Sequence, residues 1–227
     1  MNVPISEIFS AQNIVFMLKG AWVSVLVAVC CVIFGTLLGV IAATCKISKN
    51  KFLHVISNVY VEVIRGTPML LQLTFFFLGV PTFYRMITGS YLGMDPVVTG
   101  IIALSINSGA YTCELIRSAI NSIDKGQWEA GKSIGLTNSQ IMKRIILPQS
   151  FKIIVPPLAN ELIVLIKDSS LVSTIGAVEL MKASTILGTQ YFNFVLPLLG
   201  AGLVYLVLTL IISKLTSILE RRLSESD

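Results

Sequence analysis

The chain has 227 residues, of which 54% are hydrophobic and 13% are charged, and its mean hydropathy is +0.82. A soluble domain carries about 25% charged residues, so this composition excludes an ordinary soluble protein and indicates a membrane protein. The net charge of +5 is accounted for by basic segments beside anionic lipid and partner proteins, and it does not indicate nucleic-acid binding.

The first predicted element is a membrane-spanning helix at about residues 20–45. Lys19 and Lys46 bracket 26 residues without a charge, and a helix of about 20 apolar residues crosses the hydrocarbon core. A cleaved signal peptide is the alternative, but no basic residue precedes Lys19 and the apolar run exceeds the roughly 15 residues of a signal peptide. The four cysteines lie in or beside predicted spans without a C-x-x-C pair, so we predict neither a disulfide framework nor a metal site.

Four further spans follow, at about residues 66–86, 96–116, 153–176 and 195–215. Each stretch is long enough to cross a bilayer, although Glu161, Lys167 and Asp168 interrupt the fourth. No stretch outside the spans is long enough to form a soluble domain with its own core. The sequence therefore predicts an all-α membrane protein with five transmembrane helices in a single domain, residues 1–227.

The distribution of Lys and Arg predicts the orientation of the chain. Of 17 basic residues, 13 fall between spans one and two, between spans three and four, or after span five, and three fall on the opposite side. Basic residues concentrate in cytoplasmic segments. We therefore expect the N-terminus outside the cell, the C-terminus in the cytoplasm, and a long cytoplasmic connection, about residues 118–152, between spans three and four.

Polar residues mark the start of the second span. Thr67-Pro68 is typical of a helix start with proline at the first helical position. Gln72, in the following turns, serves either as a contact between helices or as a ligand contact. Two pairs of opposite charge at i, i+3 predict local ion pairs, with a role in gating or coupling as the alternative: Glu62 with Arg65, and Glu114 with Arg117.

Residues 126–133, GQWEAGKS, fit the pattern G-x-x-x-x-G-K-[ST] of a phosphate-binding loop. Such a loop follows a buried strand, but the residues upstream have the apolar spacing of a helix. A chain made of spans also has no room for the parallel sheet of an NTPase, so we expect no ATP binding here. The segment instead predicts a helix, a turn at Gly135 and a second helix that begins with a capping pair at Thr137 and ends at Leu147 before Pro148.

An ordered connection of this length is expected to bind a partner, because structureless connections beyond about 15 residues are uncommon. Its sequence EAGKSIG over residues 129–135, followed by IMKRIILP over 141–148, resembles the EAA loop of the permease subunits of ABC importers. Gly131 replaces the alanine at the third position, which weakens the helix by about 1 kcal/mol. Residues 61–73 (VEVIRGTPMLLQL) and 160–176 (NELIVLIKDSSLVSTIG) are similar to the polar amino acid branch of those permeases. The resemblance covers residues 20–215.

The resemblance implies an assembly around the chain. Two permease subunits, identical or different, pair in the membrane, a dimer of cytoplasmic ABC ATPases docks beneath them, and an extracytoplasmic binding protein delivers the solute. The partner hydrolyses ATP, so we expect no catalytic residue and no cofactor in this chain. Residues 127–146 are expected to form coupling helices in the ATPase cleft. Seven residues are expected to make or support this contact: Trp128, Glu129, Ala130, Gly135, Ile141, Leu147 and Pro148.

A carboxylate inside the fourth span predicts the path of the solute. Glu161 lies about eight residues past the expected entry into the membrane, which is roughly 12 Å deep, near the level where transporters bind solutes. It binds the ammonium group of an amino acid or, alternatively, neutralises Lys167 or a charge on a partner subunit. The KDSS run that begins at Lys167 either unwinds the helix toward a cavity or marks the outer surface. The expected solute contacts are Glu161, Asn160, Gln72, Thr67 and Ser169.

These features predict the permease subunit of an ABC importer of polar amino acids in a bacterial inner membrane. Three alternatives are kept: a permease for another solute such as methionine or a peptide, an ion-coupled secondary transporter, and a membrane scaffold that recruits a soluble protein. The lack of an internal repeat argues against the secondary transporter. Glu161 within the membrane argues against the scaffold.

Overall fold

The computed structural model of the protein describes residues 4–224, and helices make up most of them. No β-strand occurs in this range. In chain order the helices are α1 (Ile5–Ile8), α2 (Ala11–Ile47), α3 (Lys51–Arg65), α4 (Met69–Thr74), α5 (Val80–Thr88), α6 (Pro96–Ser122), α7 (Lys125–Ser133), α8 (Asn138–Ile141), α9 (Leu147–Asp168), α10 (Leu180–Gln190) and α11 (Val195–Ser224). Two π-helical turns join neighbouring helices, and a 3-10 helix extends α9: Phe75–Gly79, Met142–Ile146 and Ser169–Ile175.

Five stretches within residues 4–224 are long and apolar enough to cross a membrane. They are Ala11–Ile47, Met69–Thr88, Pro96–Ser122, Asn138–Ile175 and Val195–Ile218. The predicted all-α class with five spans is confirmed. The helix of the first span, α2, is longer than predicted and begins at Ala11, because no proline or glycine separates Ala11 from Lys19 and a charge does not end a helix.

The fourth span continues through Pro148, so the predicted end of a helix at Leu147 is wrong. A proline lacks the N–H that bonds the carbonyl four residues back in an α-helix. The π-helical turn Met142–Ile146 directly precedes the proline and shifts the bonding register. Pro148 therefore occupies the first turn of α9, where a missing N–H removes no helical bond.

The predicted connection of residues 118–152 is helical over most of its length. Residues 118–122 continue α6, and residues 138–152 belong to the long helical stretch Asn138–Ile175, which contains the fourth span. Residues 123–137, with α7 among them, lie between these two stretches. They follow the end of α6 that lies beside Lys46, and we call this end of the bundle the basic end.

A break in helical structure directly precedes the second span. Helix α3 packs against α6, where Tyr60 Oη donates to the carbonyl oxygen of Ile106 at 2.6 Å. The chain then breaks at Gly66–Pro68, and α4 begins at Met69. Pro68 is the extended N-cap residue rather than the first helical residue, so the predicted helix start was wrong by one position.

Helices α2 and α6 form the most extensive contact in the bundle. Gly35 lies against Ser108 and Gly39 against Thr112, at distances that leave no room for a side chain on either glycine. Small residues of this kind let two backbones approach closely in a membrane bundle. The adjoining apolar core includes Val27, Ala28, Cys31, Leu73, Ala103 and Leu104.

Gly39→Ala is expected to destabilise the bundle, because a Cβ atom at this position lies 2.5 Å from Thr112 Cβ and 3.0 Å from the carbonyl oxygen of Gly109. Overpacking of this kind costs about 1–3 kcal/mol, which lowers the melting temperature by roughly 2–12 °C. The matched control is Gly202→Ala in α11, where nothing lies within 4 Å of the added atom. Thermal unfolding of both purified variants in detergent measures the effect, and equal melting temperatures contradict the expectation.

At the end of the bundle opposite the basic end, Glu179 ties three helices together. It is fully buried and accepts hydrogen bonds from Ser24 at 3.1 Å and Tyr205 at 2.7 Å, which lie on α2 and α11. The backbone N–H groups of Met181 and Lys182 donate to the same carboxylate at 2.9 and 2.8 Å, so it also caps α10. Burial raises the pKa of the Glu179 carboxyl above its ordinary value, while the four hydrogen bonds act in the opposite direction.

Candidate functional site

Residues 123–148, here called the elbow, lead from the end of α6 into the first turn of α9 at the basic end. Between α7 and α8, Gly135 has a φ of 80°, a left-handed conformation that favours glycine. Thr137 then accepts a hydrogen bond from the N–H of Gln140, whose side chain accepts one from the N–H of Thr137. The predicted helix, glycine turn and capped helix are present. Residues 126–133 belong to α7 and do not form a phosphate-binding loop.

The inner face of the elbow is a small apolar core. Ile141 and Ile146 are fully buried, and a Cβ atom on Gly131 would lie 2.8 Å from Ile141 Cγ1. Half-buried side chains complete the cluster: Ile116, Ile123, Trp128, Leu136, Met142 and Ile145. Trp128 and Ile141, two of the predicted ATPase contacts, therefore face inward and hold α7 against the fourth span. Gly131, the departure from the EAA pattern, permits this close packing.

The outer face of the elbow carries the other predicted contacts. The exposed residues among them are Glu129, Ala130, Gly135, Leu147 and Pro148. At the tip, Ile134 is 75% exposed, next to the glycine turn. Leu147 and Pro148 lie in the first turn of α9, and Leu147 lines an apolar groove of about 670 Å³ between α2, α6 and the fourth span. An exposed carboxylate and an exposed isoleucine on one helix pair suit the groove of a partner protein.

Glu161 lies inside the fourth span, half-buried against α6. Ser108 Oγ donates to Glu161 Oε1 at 2.9 Å. Within residues 4–224 no ion pair joins Glu161 to Lys167, whose side chain is exposed. Pro156 and Pro157 lie about one turn before Glu161 and remove two N–H donors from the helical ladder there. A carboxylate with one hydroxyl partner and capacity for further donors can hold an ammonium group.

Gln72 bridges the break between α3 and α4. Its amide nitrogen donates to the carbonyl oxygens of Ile64 and Thr67 at 2.7 and 3.1 Å and lies 2.8 Å from Thr67 Oγ1. Its Oε1 accepts from Asn107 of α6 at 3.0 Å. These bonds hold the adjoining ends of α3 and α4 together and tie them to α6. They support the interpretation of Gln72 as a contact between helices, with Thr67 in the same network.

The remaining predicted solute contacts lie in different surroundings. Asn160 is exposed beside Glu161. Ser169 is fully buried, and its hydroxyl donates to the carbonyl oxygen of Ile166 at 2.7 Å. The KDSS run tightens into the 3-10 helix Ser169–Ile175 rather than unwinding, because i to i+3 bonds replace the α-helical ones. The structure therefore brings Asn160 and Glu161 together and places Ser169 apart from them.

Three cations surround one carboxylate at the basic end. Glu114 pairs with Lys46 and with Arg117, whose Nε and Nη2 lie 3.0 and 2.9 Å from Glu114 Oε2. Arg65 Nη1 lies farther away, 4.0 Å from the same oxygen. The predicted pair of Glu114 and Arg117 is present, whereas Glu62 and Arg65 form no ion pair in the described part of the chain. Spacing along the sequence did not reveal Lys46 or Arg65 as partners of Glu114, because they belong to other helices.

Family comparison decides what kind of membrane protein this bundle is. The model of the family described as binding-protein-dependent transport system inner membrane component matches residues 35–225. The chain belongs to this family. The permease predicted from the EAA motif is thereby confirmed, and so is its predicted location in the inner membrane, which five apolar helices within residues 4–224 can cross.

Curated relatives align with this permease over most of its length. The putative glutamine transport system permease protein GlnP of Rickettsia bellii (strain RML369-C) is 38% identical over 213 residues, which cover 94% of this chain and 95% of that one. The arginine transport system permease protein ArtQ of Bacillus subtilis (strain 168) is 39% identical over 229 residues, with 100% of both chains covered. The L-cystine transport system permease protein TcyB of Bacillus subtilis (strain 168) is 40% identical over 192 residues, which cover 84% of this chain and 79% of that one.

Solved structures share the fold of the permease. A chain of the crystal structure of an amino acid ABC transporter with histidines matches with a TM-score of 0.89 and 35% sequence identity, covering 98% of this chain and 100% of that one. The inward-facing MetNI methionine ABC transporter gives a TM-score of 0.75 at 19% identity, with 95% and 99% of the two chains covered. The second likeness concerns the fold alone. The permease thus has a fold that occurs in ABC transporters.

Proposed function

We propose that the chain is the membrane-spanning permease subunit of an ABC importer that carries polar amino acids. Relatives named for glutamine, arginine and cystine transport support this class of solute. The binding-protein-dependent family supports delivery of the solute by an extracytoplasmic binding protein. The chain pairs with a second permease, identical or different, and a dimer of ABC ATPases hydrolyses ATP. The basic end faces the cytoplasm, because Lys and Arg concentrate on that side of membrane proteins.

One observation carries the proposal: the elbow and Glu161 share a helical stretch. Asn138–Ile175 runs from the glycine turn into the bundle without a break in helical structure. Glu161 lies about 35 Å along this helix from its start at 1.5 Å per residue. A displacement of the elbow by the ATPase is transmitted along this helix to Glu161, which lies about one turn past Pro156 and Pro157. Glu161 accepts a bond from Ser108 in one state of the permease and binds the solute in the other, so a movement of the helix changes solute binding.

Each group of site residues has a place in this proposal. Glu161 and Asn160 contact the solute. Gln72, together with Thr67, fixes the position of the start of the second span relative to α6. Ser169 is buried and bonds the carbonyl oxygen of Ile166 within the fourth span. The coupling contacts with the ATPase come from the outer face of the elbow, while Trp128 and Ile141 keep the elbow rigid.

Reconstitution tests the proposal. The permease is incorporated into liposomes with its ATPase and binding protein, and uptake of labelled glutamine, arginine and cystine is measured with Na⁺ and H⁺ gradients clamped at zero. We expect uptake that requires ATP and exceeds the uptake of methionine and of a dipeptide. Uptake driven by an ion gradient without ATP would support the secondary transporter instead. ATP hydrolysis by the purified chain alone would contradict the assignment of hydrolysis to a partner.

A further inference from the structure

The apolar groove between α2, α6 and the fourth span lies at the basic end of the bundle. Its volume of about 670 Å³ is in the range of small-molecule sites. Among the described residues, no Asp or Glu lines it. Val40, Leu147 and Phe151 on its walls are exposed, so the groove faces the surroundings of the bundle. Its lining also includes Thr36, Thr44, Ile47, Ser48, Met142 and Leu158.

The length of the groove matches one leaflet of a bilayer. On α2 the lining runs from Thr36 to Ile47, and on α9 it runs from Leu147 to Leu158. Each wall therefore extends over 11 residues, which is about 16 Å along a helix. The hydrocarbon core is about 30 Å thick, so the acyl chains of one leaflet extend over about 15 Å. An acyl chain that enters from the basic end thus fits the groove along its length.

One lysine on each wall flanks the groove at the basic end. Lys49 directly follows Ser48, and Lys143 directly follows Met142. Both lysines are exposed, and neither forms an ion pair within residues 4–224. Basic pockets between membrane helices on the cytoplasmic side bind anionic lipid head groups. The two lysines therefore suit a phosphate group at the mouth of the groove.

A lipid suits this groove better than a second permease does. Two identical subunits that met through this face would bring the same surface of each copy together. Lys49 and Lys143 of one copy would then lie near the same lysines of the other. Like charges that face each other across an interface are unfavourable. An anionic lipid instead places hydrocarbon against the apolar walls and negative charge beside the lysines.

We propose that the groove binds an anionic phospholipid of the cytoplasmic leaflet, with an acyl chain between α2 and α9 and the phosphate between Lys49 and Lys143. The inference goes beyond the proposed function and shares with it the cytoplasmic position of the basic end. Ile116, Ile120 and Met142 line the groove and also belong to the apolar core of the elbow. The acyl chain therefore packs against side chains that hold α7 in place.

Photolabelling of the assembled importer in liposomes tests the site. The probes are phosphatidylglycerol and phosphatidylcholine with the same photoreactive group in one acyl chain, and mass spectrometry of peptides locates and quantifies the labels. At equal lipid fractions, phosphatidylglycerol is expected to label the groove walls roughly 10- to 30-fold more than phosphatidylcholine, because each cation contributes about fivefold. Lys143→Gln is expected to lower this ratio about fivefold. The control is Lys214→Gln on α11, which does not line the groove and is expected to keep the ratio.

A second pair of variants tests the groove itself. Val40 lines the groove and is exposed, so Val40→Trp is expected to fill the space and remove most of the labelling of its walls. Ile41, the next residue of α2, is also exposed but does not line the groove. Ile41→Trp is therefore the matched control and is expected to be labelled like the wild type. Melting curves establish that each variant is folded, and Lys49→Gln replaces Lys143→Gln if that protein does not fold.

Three outcomes overturn the inference. The first is equal labelling of the groove walls by the two lipids in the wild-type protein. The second is a wild-type ratio in Lys143→Gln, or in Lys49→Gln where it is used instead. The third is the absence of labelling at the groove walls, which is the result expected if a second permease covers them. Each outcome leaves ATP-dependent uptake of amino acids, and therefore the proposed function, unchanged.

Discussion

Glu129→Lys is expected to reduce ATP-dependent uptake by more than tenfold while the permease still folds and enters the membrane. The Glu129 side chain is exposed on the outer face of the elbow, and the inner apolar core that holds α7 in place does not include it. We expect Glu129 to pair with a basic residue of the ATPase. Loss of one partner of a charge pair in an interface costs about 2–5 kcal/mol, so the reversed charge is expected to reduce uptake by more than tenfold. Uptake and binding-protein-stimulated ATP hydrolysis are measured in proteoliposomes.

The matched control is Glu7→Lys, the same charge reversal at an exposed residue beside the opposite end of α2. This variant is expected to transport at the wild-type rate. Both proteins have equal net charge, so a difference between them reports the position of the charge. Wild-type uptake together with wild-type stimulation of hydrolysis in Glu129→Lys contradicts the coupling role.

The features that the sequence predicted correctly are those that depend on neighbouring residues. Five spans follow from the apolar length that the hydrocarbon core requires. The elbow follows from Gly135, which adopts a left-handed conformation, and from the capping pair at Thr137. The prediction at Leu147 failed because it treated Pro148 as the end of a helix. A π-helical turn directly before the proline shifts the hydrogen-bonding register, so the helix continues although Pro148 has no N–H to donate.

The candidate site was only partly predictable, because its contacts join residues far apart in the sequence. Glu161 and Gln72 stood out as polar groups in apolar helices, but their partners Ser108 and Asn107 are 53 and 35 residues away. A signal for Ser108 existed in the small polar residues spaced along one face of α6. That spacing predicts close helix packing, and it does not say which helix supplies the neighbour. The sequence predicted a local ion pair between Arg65 and Glu62. The packing of α3 against α6 instead places Arg65 near Glu114.

Glu161→Gln is expected to reduce uptake of the preferred amino acid by roughly 10- to 100-fold, the contribution of a hydrogen bond to a charged group. Glutamine has nearly the same shape, and its side-chain oxygen can still accept the bond from Ser108 that Glu161 accepts at 2.9 Å. The fold and basal ATP hydrolysis are therefore expected to stay unchanged. Only the negative charge that holds the ammonium group is lost. Initial rates of ATP-dependent uptake in proteoliposomes over a range of solute concentrations measure the effect.

Ser108→Ala separates a solute contact from a purely structural bond. If Glu161 serves only as the partner of Ser108, Glu161→Gln keeps the bond and transports normally, whereas Ser108→Ala breaks it and transports poorly. If the carboxylate binds the solute, the order reverses, because Ser108→Ala only removes an internal donor that competes with the ammonium group for Glu161. Uptake by Ser108→Ala within a few-fold of wild type, beside a large loss in Glu161→Gln, therefore assigns the carboxylate to the solute. The opposite pattern assigns it to the packing of the fourth span against α6.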